Sequence, residues 1–179
     1  LTSKDLRKAL KQDLKDIDGA NLIFLGDFNI FDKNKIIKEN KIISKNKNVF
    51  LLEDLNFKIF GNVNVDIDEI NKKIKFLKKD NNSRVLFFNS NIKDWSLEFV
   101  DLINNNNDII RRDTNGLSGC LNIYDSSIEN LKVYTNNTKC EDALNLVRTD
   151  GSIGNLKISN ALFDGLDADF SNLNIENIE

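Results

Sequence analysis

Apolar and polar residues alternate in short runs along most of this chain, and from residue 120 onward the runs repeat. Ile128-Glu129-Asn130-Leu131-Lys132-Val133 matches Ile153-Gly154-Asn155-Leu156-Lys157-Ile158, then Ile175-Glu176-Asn177-Ile178 and, upstream, Ile92-Lys93-Asp94-Trp95-Ser96-Leu97. The frame is apolar, any residue, Asn or Asp, apolar, polar, apolar. Its starts at 92, 128, 153 and 175 give steps of 36, 25 and 22. A second motif recurs at steps of 23 and 22: Leu121-Asn122-Ile123-Tyr124, Leu144-Asn145-Leu146-Val147 and Leu166-Asp167-Ala168-Asp169-Phe170. Alternation of this kind is the mark of a strand with one buried face. A period so short cannot fold alone, so each copy must bury its apolar face on its neighbours.

Turn formers leave helices little room between Leu121 and Phe170 (Asp125-Ser126-Ser127, Asn136-Asn137, Asp150-Gly151, Asp164-Gly165, Ser171-Asn172). The pattern predicts an all-β fold, a parallel β-helix whose coil runs strand, turn, Asn corner, strand and looser return. Asp94, Asn130, Asn155 and Asn177 are expected at the corner, because Asn and Asp tolerate the left-handed backbone conformation. Rungs about 4.8 Å apart would let these side chains hydrogen-bond up the stack as a ladder. Asn is abundant here, 29 of 179 residues, but three in register with matched hydrophobic flanks outweigh composition.

The run Cys140-Glu141-Asp142-Ala143-Leu144-Asn145-Leu146-Val147-Arg148, followed by Asp164-Gly165-Leu166-Asp167-Ala168-Asp169-Phe170-Ser171, resembles right-handed parallel β-helix regions of bacterial surface and secreted proteins, in the pectate-lyase-like superfamily. The likeness covers residues 85 to 179. It implies a right-handed coil and an extracellular or cell-surface location. Relatives in the wider superfamily bind or cleave polysaccharides along an outer sheet and its loops.

Residues 1–17 read as an amphipathic helix, with Leu6, Leu10, Leu14 and Ile17 on one face and Thr2 or Ser3 as cap. An open first rung needs cover, so this helix is expected to cap the stack. The β-helix is then expected over 18–179, with regular rungs from about residue 85. At 66–80, Asp66 and Glu69 could form a helical capping box. Alternation at Ile74-Lys75-Phe76 argues instead for a strand at 73–78. After Ile92, the surplus residues Asn104 to Asn107 and Arg111-Arg112-Asp113-Thr114 are expected to form a protruding loop.

Charge divides unevenly. Residues 1–84 hold 18 Lys/Arg and 13 Asp/Glu, a balance of +5, and the remainder holds 7 and 15, a balance of −8. The acidic repeat argues against nucleic acid, which needs clustered cations. No apolar run approaches the 18 or so residues of a membrane span. The chain lacks Met, Pro and His and stops in mid-repeat, which suggests a piece of a longer protein. Cys120 and Cys140 match no zinc spacing. They fall in successive coils, either as a disulfide or as two buried thiols.

Without His, imidazole triads and general bases are excluded, and no glycine-rich phosphate loop is present. Alternation places Asn122, Tyr124, Asn145, Val147, Asp167 and Asp169 on the outer face of one sheet, a candidate sugar-binding strip. Asp167 and Asp169 would lie about 6.6 Å apart, within the roughly 6.5–9.5 Å of an inverting glycosidase, though any surface Asp-x-Asp in a strand gives that spacing. Superfamily hydrolase and lyase motifs are not evident. Glu141, Asp142 and Asp164 crowd carboxylates onto neighbouring coils, which a cation such as calcium or a basic residue, Arg148 being nearest in sequence, would relieve; otherwise no cofactor is expected. The leading expectation is a non-catalytic scaffold or interaction module, its partner polysaccharide or a neighbouring domain of the same protein. The alternatives are a polysaccharide-binding or -cleaving domain (a glycoside hydrolase or polysaccharide lyase if catalytic) and a self-assembling shaft joined end to end.

Overall fold

The computed structural model describes residues 48–52, 54–103 and 110–179, which contain strands, turns and loops without a helix. The expected capping helix at 1–17 and the first part of the expected β-helix, 18–47, lie outside the described residues.

Three antiparallel pairings come first. β1 (Val49–Leu51) pairs with β2 (Asn56–Phe60), β2 with β5 (Arg84–Phe88), and β3 (Val63–Asp68) with β4 (Lys73–Lys78). Residues 73–78 are thus the strand that alternation indicates, and Asp66 faces Lys75 across the ladder instead of capping a helix. The turn between them is held by Asn71, whose backbone N–H and Nδ2 both donate to the Asp68 carboxylate.

All other strand pairings are parallel. They involve β6 (Asn91–Lys93), β7 (Ser96–Asp101), β8 (Gly119–Tyr124), β9 (Ser127–Asn136), β10 (Asp142–Val147), β11 (Asp150–Ser159), β12 (Asp164–Asp169) and β13 (Leu173–Ile175). One sheet has the order β1-β2-β5-β8-β10-β12 and the other β13-β11-β9-β7-β4-β3, with β6 beside β9. From β8 onward the chain visits the two sheets in turn. Parallel neighbours need a crossover, and here the other sheet's strand supplies it.

Most of the matched apolar positions pair in register. Leu121, Leu144 and Leu166 stack, as do Asn122, Asn145 and Asp167. Ile92 pairs with Ile128 and Ile153 with Ile175. One step differs: Ile128 pairs with Gly151, not Ile153, and Val133 with Leu156, so this step is 23 residues (151 − 128). The two register shifts that flank Ile153 cancel: Ile153 pairs with Leu131 at a step of 22 (153 − 131), and from Lys132 and Asn155 onward the step is 23 again (155 − 132). The four-membered Asn corner is corrected accordingly. Asp94 (φ 61°) and Asn130 (φ 48°) are left-handed, and Asn130 Nδ2 donates to Asp94 Oδ1 at 2.9 Å. On the neighbouring strand β11 Gly154 packs against the Asn130 amide, where a Cβ would come within 2.4 Å of Oδ1. Asn155 pairs with Lys132, and its buried Oδ1 has no partner among the described residues. Asn177 Nδ2 reaches only the Gly154 carbonyl.

The more regular corner follows the first sheet. Asn89, Asp125, Arg148 and Phe170, one residue past the strand ends, have φ of 45°, 49°, 48° and 52°. Each is followed by a hydroxyl: Ser90, Ser126, Thr149 and Ser171. Every one of these hydroxyls donates to the carbonyl two residues back, at Phe88, Tyr124, Val147 and Asp169. Ser126 Oγ also accepts from Ser90 N–H, and Ser171 Oγ from Thr149 N–H, so the column is stitched between neighbouring strand ends. A left-handed residue with a β-carbon costs about 1–2 kcal/mol. For Arg148 the cost is offset by two hydrogen bonds to Asp125 at the end of the neighbouring strand β8, at 2.5 and 2.9 Å.

Leu121, Ile123, Leu144 and Leu146 from one sheet and Leu97, Leu131, Val133 and Leu156 from the other fill the space between, all essentially buried. At the N-terminal end of the stack the filling is aromatic, with Phe57 against Phe50, Phe76 and Phe87. Cys120 and Cys140 are joined by a disulfide, Cα atoms 5.3 Å apart, which resolves the choice left open by their spacing. The core thins toward β12, where Leu166 is only partly buried. Two residues expected inside are corrected there: Ala168 is exposed, and Phe170 occupies the corner at 86% exposure.

Candidate functional site: the outer face of the first sheet

The outward residues of β5, β8, β10 and β12 form two columns, Leu86, Asn122, Asn145, Asp167 and Phe88, Tyr124, Val147, Asp169. The sequence reading makes this an open strip. Half of it is closed. Leu86, Phe88, Asn122 and Asn145 are all buried, Asn122 at 0% exposure. Asn122 Nδ2 donates to the carbonyls of Gly119 (2.7 Å) and Val85 (3.0 Å), and Oδ1 accepts from Gly119 N–H at 3.0 Å. Asn145 Nδ2 donates to Ser118 Oγ. As exposed ligand contacts both asparagines are therefore corrected: Asn122 satisfies the backbone where β8 begins, and Asn145 is held by the Ser118 and Asp142 side chains, its buried Oδ1 without a partner among the described residues. Asn122→Ala is expected to cost about 1–3 kcal/mol by stranding buried polar groups, read as a lowered urea midpoint. A midpoint equal to wild type would contradict this role.

Tyr124 is half-buried, and burial pushes its phenol up to about 12, so it stays neutral at physiological pH. Only β12 presents accessible acids, Asp167 half-buried and Asp169 exposed. Their carboxylates share the face predicted from alternation, and their ladder partners are Asn145 and Val147.

At the start of β10 the acids meet arginines that the sequence reading did not pair with them. Glu141 accepts from Arg112 Nε at 2.6 Å and Arg111 Nη2 at 3.2 Å. Arg148, the expected partner, is instead engaged with Asp125. The segment carrying Arg111 was expected to protrude. Its described part folds back: Glu141 N–H donates to the Arg111 carbonyl, and the fully buried Arg84 guanidinium donates to the carbonyl of Ile110. Arg111 also lies over the Phe163 ring, 4.6 Å from its centroid. Their pairing is invisible in sequence because the partners lie about 30 residues apart.

Asp142 pairs with Asp164 in the ladder, as the repeat indicates, and is 3% exposed. Burial raises its carboxyl above the usual range; the nearby Asp167, Glu141 and Asp164 add to this, while a Ser118 hydrogen bond opposes it. A folded-state value above the unfolded one means that this group's contribution is fully present below the unfolded pKa. It is lost as pH rises through the folded pKa. Asp142→Asn is therefore expected to raise the urea midpoint at pH 7 and to leave it nearly unchanged near pH 3. The same offset at both pH values would overturn the electrostatic cause.

Among the described residues no three acidic side chains converge closely enough to hold a metal ion. Glu141, one of the three candidate ligands with Asp142 and Asp164, is already held by two arginines. The accessible chemistry of the face is thus a short acidic edge on β12 beside Arg112 and Phe163. Comparison with protein-family models, with curated proteins and with solved structures gives no match to this chain.

Proposed function

We propose that residues 48–179 form a right-handed parallel β-helix that serves as a non-catalytic scaffold or interaction module of an extracellular protein. The observation that carries the reading is the fate of the polar side chains on the first sheet. Asn122, Asn145, Ser90, Ser126 and Thr149 all hydrogen-bond within or between coils, so the polar residues that repeat are spent on stacking. Strand steps of 22 and 23 residues with parallel register support the coil. A buried disulfide suits an oxidising compartment.

The test is a glycan array run alongside turnover assays on acidic polysaccharides. A scaffold gives no turnover. Cleavage abolished by Asp167→Asn or Asp169→Asn would replace this reading with the hydrolase one, and binding without cleavage would favour a carbohydrate-binding module.

A further inference from the structure

The inward positions of β4 and β7 face each other as a ladder of pairs: Ile74 with Leu97, Phe76 with Phe99, and Lys78 with Asp101. The first two pairs are apolar core. The third is a lysine and an aspartate, both side chains 0% exposed, with Nζ 2.8 Å from Oδ2. Burying two charges is costly unless contact is close, and the direct backbone register leaves neither side chain room to retreat. The carboxyl is fixed a second time by Ile103 N–H, which donates to Oδ1 at 2.9 Å. Burial also draws the Lys78 ammonium below its ordinary value, against the opposing effect of Asp101. In so dry a place the neutral amine and carboxylic acid lie closer in energy to the ion pair than they do in water.

We propose that Lys78 and Asp101 condense to an isopeptide, an amide from Nζ to Cγ that ties β4 covalently to β7. The ammonium proton passes to Oδ2, and the freed amine adds to Cγ. Oδ1 carries the developing negative charge against the Ile103 N–H, in the manner of an oxyanion donor. Oδ2 then leaves as water with a second proton from nitrogen. One C–O bond breaks, one C–N bond forms, and no oxidant or other reactant is needed. Fixed contact between the two groups replaces the bimolecular encounter that makes this reaction slow in solution. Cys140 Sγ lies 3.8 Å from the same Nζ, so the isopeptide and the Cys120–Cys140 disulfide would stand side by side as two cross-links between coils.

Intact mass spectrometry of the reduced, full-length chain tests this directly. The expected mass is one water below that of the sequence, and a proteolytic digest should contain a branched peptide joining the Lys78 and Asp101 segments. Lys78→Arg and Asp101→Ala should each restore the full mass. A full sequence mass in the folded wild-type chain, with the two segments recovered as separate peptides, overturns the proposal. So does a water loss that maps to Asp150-Gly151 or Asp164-Gly165, where succinimide formation would cause it. The wild-type measurement decides the matter even if the variants fail to fold.

Discussion

Gly151→Ala is expected to lower stability by about 3 kcal/mol or more, combining overpacking with a forced backbone conformation. Gly151 has φ of 130°, a region open essentially to glycine alone. A Cβ built there would lie 1.8 Å from the carbonyl oxygen of Ile128, its ladder partner on β9. Neither strand can move aside without breaking the parallel ladder between β9 and β11. The loss should appear as a lowered urea midpoint. Gly116→Ala is the comparison: its φ is 82°, but nothing lies within 4 Å of an added Cβ, so strain acts there without a clash. Similar losses at the two positions would show that the close approach to Ile128 does not matter.

Phe76→Ala is expected to cost about 3–5 kcal/mol, the usual range for a large buried aromatic. Phe76 is 0% exposed, with the rings of Phe57, Phe87 and Phe99 centred 5.6, 6.0 and 6.5 Å away. Three rings drawn from both sheets cannot collapse into the vacated space together, so a cavity remains. Phe170→Ala is the control. At 86% exposure it has almost nothing to lose, and position 170 keeps its left-handed backbone in either form. If both variants melted together, the aromatic cluster would not be the anchor of the N-terminal rungs.

By itself the sequence determined the strands and most of their stacking. Alternation has a period of two that no helix shares, so Leu121, Leu144 and Leu166 could be aligned without coordinates, and the structure pairs them. The strand at 73–78 was legible for the same reason. Sequence reasoning failed where matched letters set the wrong step. The step from β9 to β11 is 23 and not the 25 that aligning Asn130 with Asn155 gives, which moves Asn155 off the corner, and a two-residue difference preserves alternation and so stays hidden. The hydroxyl corner could have been found, since Ser90, Ser126, Thr149 and Ser171 each stand two residues past a strand end. It was overlooked because the left-handed residues before them (Asn, Asp, Arg and Phe) share no side-chain chemistry.

Tertiary structure alone decided what is accessible. Alternation tells which face of a strand a side chain occupies, but not whether that face is covered. Asn122 and Asn145 lie on the predicted face and are nonetheless buried, so the open part of the strip reduces to Tyr124, Val147, Asp167 and Asp169. Which opposite charges meet was equally hidden. Arg148 found Asp125, and Glu141 found Arg111 and Arg112, because ion pairs depend on distances across coils that sequence separation does not measure. The buried Lys78–Asp101 pair is the sharpest case. In sequence the two are members of a charged composition that reads as solvated surface, and only the register of β4 on β7 sets them opposite each other in the core.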